Sequence, residues 1–255
     1  MKLCSVDREP VFVVDCIEPL ARGQRANATM PVYQGYVEGL PRCLDGVLVA
    51  SDLQAREPTE ANRAIGVVMA ERISSWIGEQ KLKPDKIGVL LAGDFYTSRT
   101  LHRRFGVGAV DDVWDAFDVR FRWVTGVLGN VDRLGRKARK RYTLLEGKTV
   151  ERDELRVGGI SGIIGPAKME NRRSEAEFIA DVSKVLGRNP DIVVVHEGPS
   201  ANPELPGTDS IRKAFKGYKG LVICGHNKWP HPVATLGPTT ILNTDGRCIL
   251  LTRAT

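Results

Sequence analysis

Short apolar runs set the rhythm of this chain. Residues 47–51, 87–92, 121–128, 192–195 and 221–224 each read as a buried strand, because they are nearly continuous in Val, Ile, Leu and Ala. Between them the period changes to that of a helix. Ala61, Ile65, Val68, Met69, Ile73, Trp76 and Ile77 fall on one helical face, with Thr59 as the expected N-cap and an end before Pro84. Residues 111–118 read as a short helix with Val113, Trp114 and Phe117 inward. Ser174 and Glu177 form a capping-box signature ahead of Phe178, Ile179, Val182 and Leu186, and Gly187 with Pro190 ends that helix. Residues 142–164 read as short strands and hairpins. Runs 240–242 and 248–251 read as a closing hairpin around Asp245-Gly246. Residues 1–44 form an N-terminal extension with one strand at 11–14 and a polar, irregular loop from Ala21 to Gly39. This order is α/β at first and mostly β later. It predicts two sheets inside with helices outside, rather than a plain doubly wound sheet.

The 255 residues carry no internal repeat and no flexible linker, so residues 1–255 read as one domain with the extension packed on it. A charged content of 27% is that of a soluble globular chain, and no apolar stretch nears the ~20 residues that span a bilayer. Five scattered cysteines without a CxxC pair exclude a cysteine zinc site as an expectation and point to a reducing, cytoplasmic setting. The first apolar run follows Asp7, Arg8 and Glu9, which is unlike a signal peptide. The net charge of +6 is compatible with an anionic substrate without requiring one.

The chemistry lies where the strands stop. Asp52, Asp94, Asn130, His196 and His226 each follow an apolar run. Carboxylate, amide and imidazole together suit a hard-to-borderline divalent cation. In order along the chain stand Asp52-Leu53-Gln54, Gly93-Asp94, Gly129-Asn130-Val131-Asp132, His196 and Gly225-His226-Asn227-Lys228. These resemble the five ordered blocks of the calcineurin-like metallophosphoesterase superfamily: Asp-x-His, Gly-Asp, Gly-Asn-His-Asp/Glu, a lone His, and Gly-His-x-His. The resemblance spans residues 52–228. It implies a four-layer αββα sandwich and a two-metal phosphoester hydrolase, in which paired cations clamp a phosphate and acidify the attacking water.

The departures from that pattern are as informative. The resemblance implies that Asp94, Asn130, His196 and His226 hold the second metal, and all four are present. The first metal would need Asp52, Gln54, Asp94 and Lys228, where two ligands have changed. One divalent metal per chain (Mn, Fe or Zn) is therefore expected, with Asp52 and His226 in the catalytic machinery. Asp52 and Asp94 should lie close, and two carboxylates ~4 Å apart repel by about 4 kcal/mol at an effective dielectric near 20. The Lys228 ammonium is expected to replace the missing cation between them. In the alternative, His231 swings in while Gln54 coordinates through its amide oxygen, although Pro230 and Pro232 restrict that segment. Val131 stands where the family has a His beside the leaving group. Loss of such acid help, typically worth ~10²–10⁴ in rate, should weaken phosphomonoester hydrolysis, and the resemblance to superfamily members with a non-His residue there implies a lean toward phosphodiesters.

Other positions carry weaker signals. Arg99 and Arg103, with His102, are candidate phosphate contacts set against a solvated-loop reading. The basic run Arg133, Arg136, Lys137, Arg139, Lys140 and Arg141 could track a nucleic-acid backbone, but a solvated surface is favoured. Trp229 could wall the cleft or fill the sheet edge. The expected partner is a small phosphorylated substrate or nucleotide, with neither membrane nor a set oligomeric state implied. A second class of function stays open: a non-catalytic scaffold that kept the sandwich while losing ligands at Gln54, Val131 and Lys228.

Overall fold

A computed structural model describes residues 1–101, 106–135 and 142–254. The fold is mixed α/β and is built on two main sheets. The first runs Lys2–Val6, Arg25–Glu38, Arg247–Arg253, Gly46–Ser51, Ile87–Leu91, Trp123–Gly126, Tyr142–Leu144, and strand Phe12–Pro19 also pairs with Arg25–Glu38. The second runs Lys148–Arg152, Leu155–Ile160, Ile192–Glu197, Leu221–Gly225, Thr239–Asn243, Val233–Leu236.

The period-two alternation of side chains decides what each strand touches. Leu48 and Ala50 pack with Ile65, Met69, Val113 and Trp114 of helices Ile65–Glu79 and Asp111–Asp118. Val47 and Val49, one residue out of phase, meet Val157, Ile192 and Val194 of the second sheet. Val193 and Val195 in turn pack with Phe178 and Val182 of helix Glu175–Leu186 and with Ile211 of helix Asp209–Ala214. Strands apolar on both faces thus read as unbroken hydrophobic runs because both faces are covered. Each fully buried Val or Ile contributes about 1.5–3 kcal/mol of transfer free energy.

The parallel pairs fix the direction of the central strands. Gly46–Ser51, Ile87–Leu91 and Trp123–Gly126 run parallel in one sheet, and Leu155–Ile160, Ile192–Glu197 and Leu221–Gly225 in the other. Their C-terminal ends open toward one rim, which is where Asp52, Asp94, His196 and His226 lie.

The capping box at Ser174 and Glu177 is present, with both reciprocal hydrogen bonds. Elsewhere the structure corrects the sequence reading. The first long helix begins at Ile65, and Thr59 does not cap it. Its N-terminal residue Ile65 instead donates its N–H to the Ala55 carbonyl at 2.9 Å, so a tertiary partner replaces the cap. Most of 21–39 is a strand of 14 residues, Arg25–Glu38, rather than a loop. Its alternation is carried by Ala, Asn and Thr over the first half, which blunts the hydrophobic signal. Runs 240–242 and 248–251 do not form a hairpin. Thr239–Asn243 belongs to the second sheet and Arg247–Arg253 to the first, and the chain crosses between them at Thr244–Gly246. Trp229 is buried in the second-sheet core and donates its indole N–H to the Pro206 carbonyl at 2.7 Å, so it does not wall a cleft. Among the described residues no helix is long and apolar enough to cross a membrane.

Candidate metal centre

Three site residues turn their backbone into the left-handed region just past the end of a strand: Asp52 (φ 56°), Asp94 (φ 58°) and His226 (φ 68°). A non-glycine residue there costs roughly 1–3 kcal/mol, and such strain concentrates at functional sites. Here the turn folds each strand end back over the rim. Asp94, His196 and His226 each present a ligand atom within 4.8 Å of the others, and the two imidazoles lie edge to face with centroids 5.0 Å apart.

His196 is fully buried. Its Nδ1 lies 2.8 Å from the Ala92 carbonyl oxygen, which can only accept, so Nδ1 carries the proton and a neutral ring offers its lone pair at Nε2. That Nε2 sits 3.3 Å from Asp94 Oδ2 yet makes no hydrogen bond of proper geometry. A lone pair facing a carboxylate needs either a proton or a cation between them. Without a metal the proton wins: burial opposes it, but the Asp94 carboxylate, together with Asp52 and the Ala92 carbonyl, lifts His196 to about 10. Burial and the neighbouring His196 push His226 down to about 4, leaving that imidazole neutral and free to ligate. Asn130 Oδ1, also buried, has no partner among the described residues either. These orphaned ligand atoms fit a divalent cation.

Asp132 organises the loops around them. Its Oδ2 accepts the N–H of Asp94 (2.7 Å) and Gly129 (3.1 Å), and its Oδ1 those of Phe95 (2.8 Å) and Tyr96 (3.0 Å). Burial and the Asp94 charge raise its carboxyl to about 6 despite those bonds. Asp94 Oδ1 accepts the Val131 N–H at 3.1 Å, so position 131 contributes through its backbone although its side chain is aliphatic. Asp52 Oδ2 accepts the His226 N–H at 3.0 Å, tying the first block to the last.

Several expectations change. Lys228 is exposed and makes no ion pair with Asp52 or Asp94 among the described residues; it lines the cavity and its charge acts on Asp245. It therefore does not replace a cation between the two carboxylates. Burial, Asp245 and Asp94 together hold the Asp52 carboxyl well above its usual range. Gln54 donates its amide N–H to Asp94 Oδ2 at 3.0 Å instead of offering an oxygen. His231 is exposed and away from the cavity lining, and Arg99 is exposed as well. Arg103, His102 and residues 136–141 of the basic run lie outside the described residues.

Asp245 is the site residue that sequence reasoning missed. It forms an isolated bridge with Ser51, lines the same cavity as Asp52 and Asp94, and raises the Asp52 carboxyl. The signal was there, since Asp245 follows the apolar run 240–242 as the other site residues follow theirs. Taking Asp245-Gly246 as a hairpin turn concealed it.

No family model matches the sequence, and no curated protein matches it. The crystal structure of TT1561 of Thermus thermophilus is similar in fold, with a TM-score of 0.54 and 13% identity over 80% of this chain and 90% of that one. At that identity the similarity concerns the arrangement of the mixed α/β fold alone.

Proposed function

We propose that this chain is a four-layer αββα sandwich of the calcineurin-like type and acts as a metal-dependent phosphoester hydrolase that prefers diesters. One observation carries the reading. A fully buried imidazole, oriented by the Ala92 carbonyl, presents an unpartnered nitrogen beside Asp94 and within 4.8 Å of ligand atoms on Asp94 and His226. With Asn130 this makes a mixed nitrogen and oxygen set suited to Mn, Fe or Zn. A divalent ion held there supplies Lewis acidity and acidifies water. The protein's own groups do the rest. Asp52 fixes the His226 loop, Asp132 holds Asp94 and Gly129 in register, and Lys228 brings an ammonium to the cavity edge for a phosphate oxygen. Val131 has no proton to give a leaving group, so esters with good leaving groups are turned over best. The substrate is a small phosphorylated molecule or nucleotide, met in the cytoplasm.

A second reading, a non-catalytic scaffold, is favoured by one contact: the Gln54 amide N–H donates to Asp94 Oδ2, the oxygen that faces His196 Nε2. The test is direct. Metal-stripped protein is reloaded with Mn²⁺ and offered an aryl phosphodiester and an aryl phosphomonoester. Diester turnover that is lost in His196→Ala supports the hydrolase. A folded, Mn²⁺-loaded protein with no turnover of either ester contradicts it.

A further inference from the structure

The cavity over the metal centre has a wall that belongs to none of the strand-end blocks. Glu18, Pro19 and Leu20, from the tip of the N-terminal hairpin, line the same space of about 430 Å³ as Asp52, Asp94 and His226. That volume suits a nucleotide-sized ligand. The wall is fixed in place. Ile17 and Arg56 exchange backbone hydrogen bonds of 2.8 and 3.0 Å, joining the hairpin to the chain two residues beyond Gln54. Leu20 N–H closes the tip on the Gln24 carbonyl at 2.8 Å, and Arg25 Nη2 ties the returning strand to the Thr100 carbonyl at 2.8 Å. Among the described residues the Glu18 carboxylate takes no hydrogen bond or ion pair.

Charge then restricts what can enter. Glu18, Asp52, Asp94 and Asp245 bring four carboxylates to the lining against the single ammonium of Lys228. One divalent ion and Lys228 supply three positive charges, which Glu18, Asp94 and Asp245 offset even with Asp52 protonated. A monoanionic ester adds one negative charge to this lining, whereas a second phosphate near Glu18 adds more beside a like charge. Hydroxyl or amino groups on the remainder of the substrate would give the Glu18 carboxylate the donors it lacks.

We propose that Glu18 is a specificity-determining residue. It selects phosphodiesters with a single negative charge whose other half carries hydroxyl or amino groups, and it rejects substrates with a second phosphate beside that half. This rests on the phosphoester-hydrolase reading of the same site. The test compares Mn²⁺-loaded wild type, Glu18→Gln and Glu18→Asp on thymidine 5′-(4-nitrophenyl phosphate) and on the same ester bearing a 3′-phosphate. Binding is followed by calorimetry and turnover by nitrophenolate release. Wild type should favour the singly phosphorylated ester by about 10-fold, the scale of one like-charge contact largely screened by water. Glu18→Gln should shrink that preference to about 3-fold or less through KM and Kd at constant kcat, and Glu18→Asp should keep most of it. Glu38→Gln, at the exposed far end of strand Arg25–Glu38, should change nothing. Equal preference in wild type and Glu18→Gln overturns the proposal and leaves the hydrolase reading intact. A wild type that binds Mn²⁺ but neither binds nor cleaves either ester overturns both.

Discussion

Replacing Gly93 by alanine isolates the backbone geometry that aims Asp94. Gly93 has φ 91°, and a Cβ built there falls 2.7 Å from Gly129 Cα and 2.8 Å from the Leu128 carbonyl carbon. These are backbone atoms and cannot rotate away. Gly237 is the control: its φ is 58°, yet a Cβ there meets nothing within 4 Å. Both substitutions carry the left-handed penalty of roughly 1–2 kcal/mol. Only Gly93→Ala adds an overpacking cost of about 1–3 kcal/mol. For a chain of this size 1 kcal/mol corresponds to about 2–4 °C in Tm. Gly237→Ala should therefore lose a few degrees and Gly93→Ala about twice as much. Because the Leu128–Gly129 backbone must shift and Asp94 with it, Mn²⁺ affinity in Gly93→Ala should fall by about 10-fold or more. Urea melts and calorimetric Mn²⁺ titrations of the two variants decide the matter. Equal stability losses, or an unchanged Mn²⁺ affinity in Gly93→Ala, would refute the idea that this close approach of two loops positions Asp94.

Three further outcomes are expected. Arg63 hydrogen bonds pull the Glu57 carboxyl down to about 2, so its contribution is present above the ordinary Glu value near 4.5 and is lost as pH falls from there toward 2. With Arg63 partly exposed, solvent screening limits this to about 1 kcal/mol. Glu57→Gln should flatten the acid limb of a pH series of urea melts, and an unaltered limb would rule the pair out. Ser174→Ala removes a cap that accepts the Glu177 N–H and should cost about 1 kcal/mol in the same melts, against no change if the cap is idle. Val131→His returns a proton donor to the cavity wall and should raise phosphomonoester turnover by about 10²-fold relative to diester turnover; an unchanged ratio would show that leaving-group protonation is not what position 131 controls.

The parts of the molecule legible in the sequence are those where one physical signal dominates. Strands buried on both faces, such as Ile192–Glu197, announce themselves by composition, and the Ser174 cap by its spacing. The polar residues that close these apolar runs include Asp94, His196 and His226, which the fold brings together. Arg25–Glu38 was hidden because a strand near the sheet edge, half in solvent over much of its length, needs little hydrophobicity. The fate of Lys228 and Asp245 depends on where the chain crosses from one sheet to the other, which local pattern does not encode. Nor does any local signal report the positive φ of Asp52, Asp94 and His226, which only the assembled rim sustains.

The central claim is that Asp94, His196 and His226, with Asn130, hold one divalent cation. Calorimetric titration of the metal-stripped protein with Mn²⁺ tests it most directly. One tight equivalent per chain is expected in the wild type, and none in His226→Ala while circular dichroism shows that variant folded. No binding by the wild type, two tight equivalents, or undiminished binding by His226→Ala would contradict it.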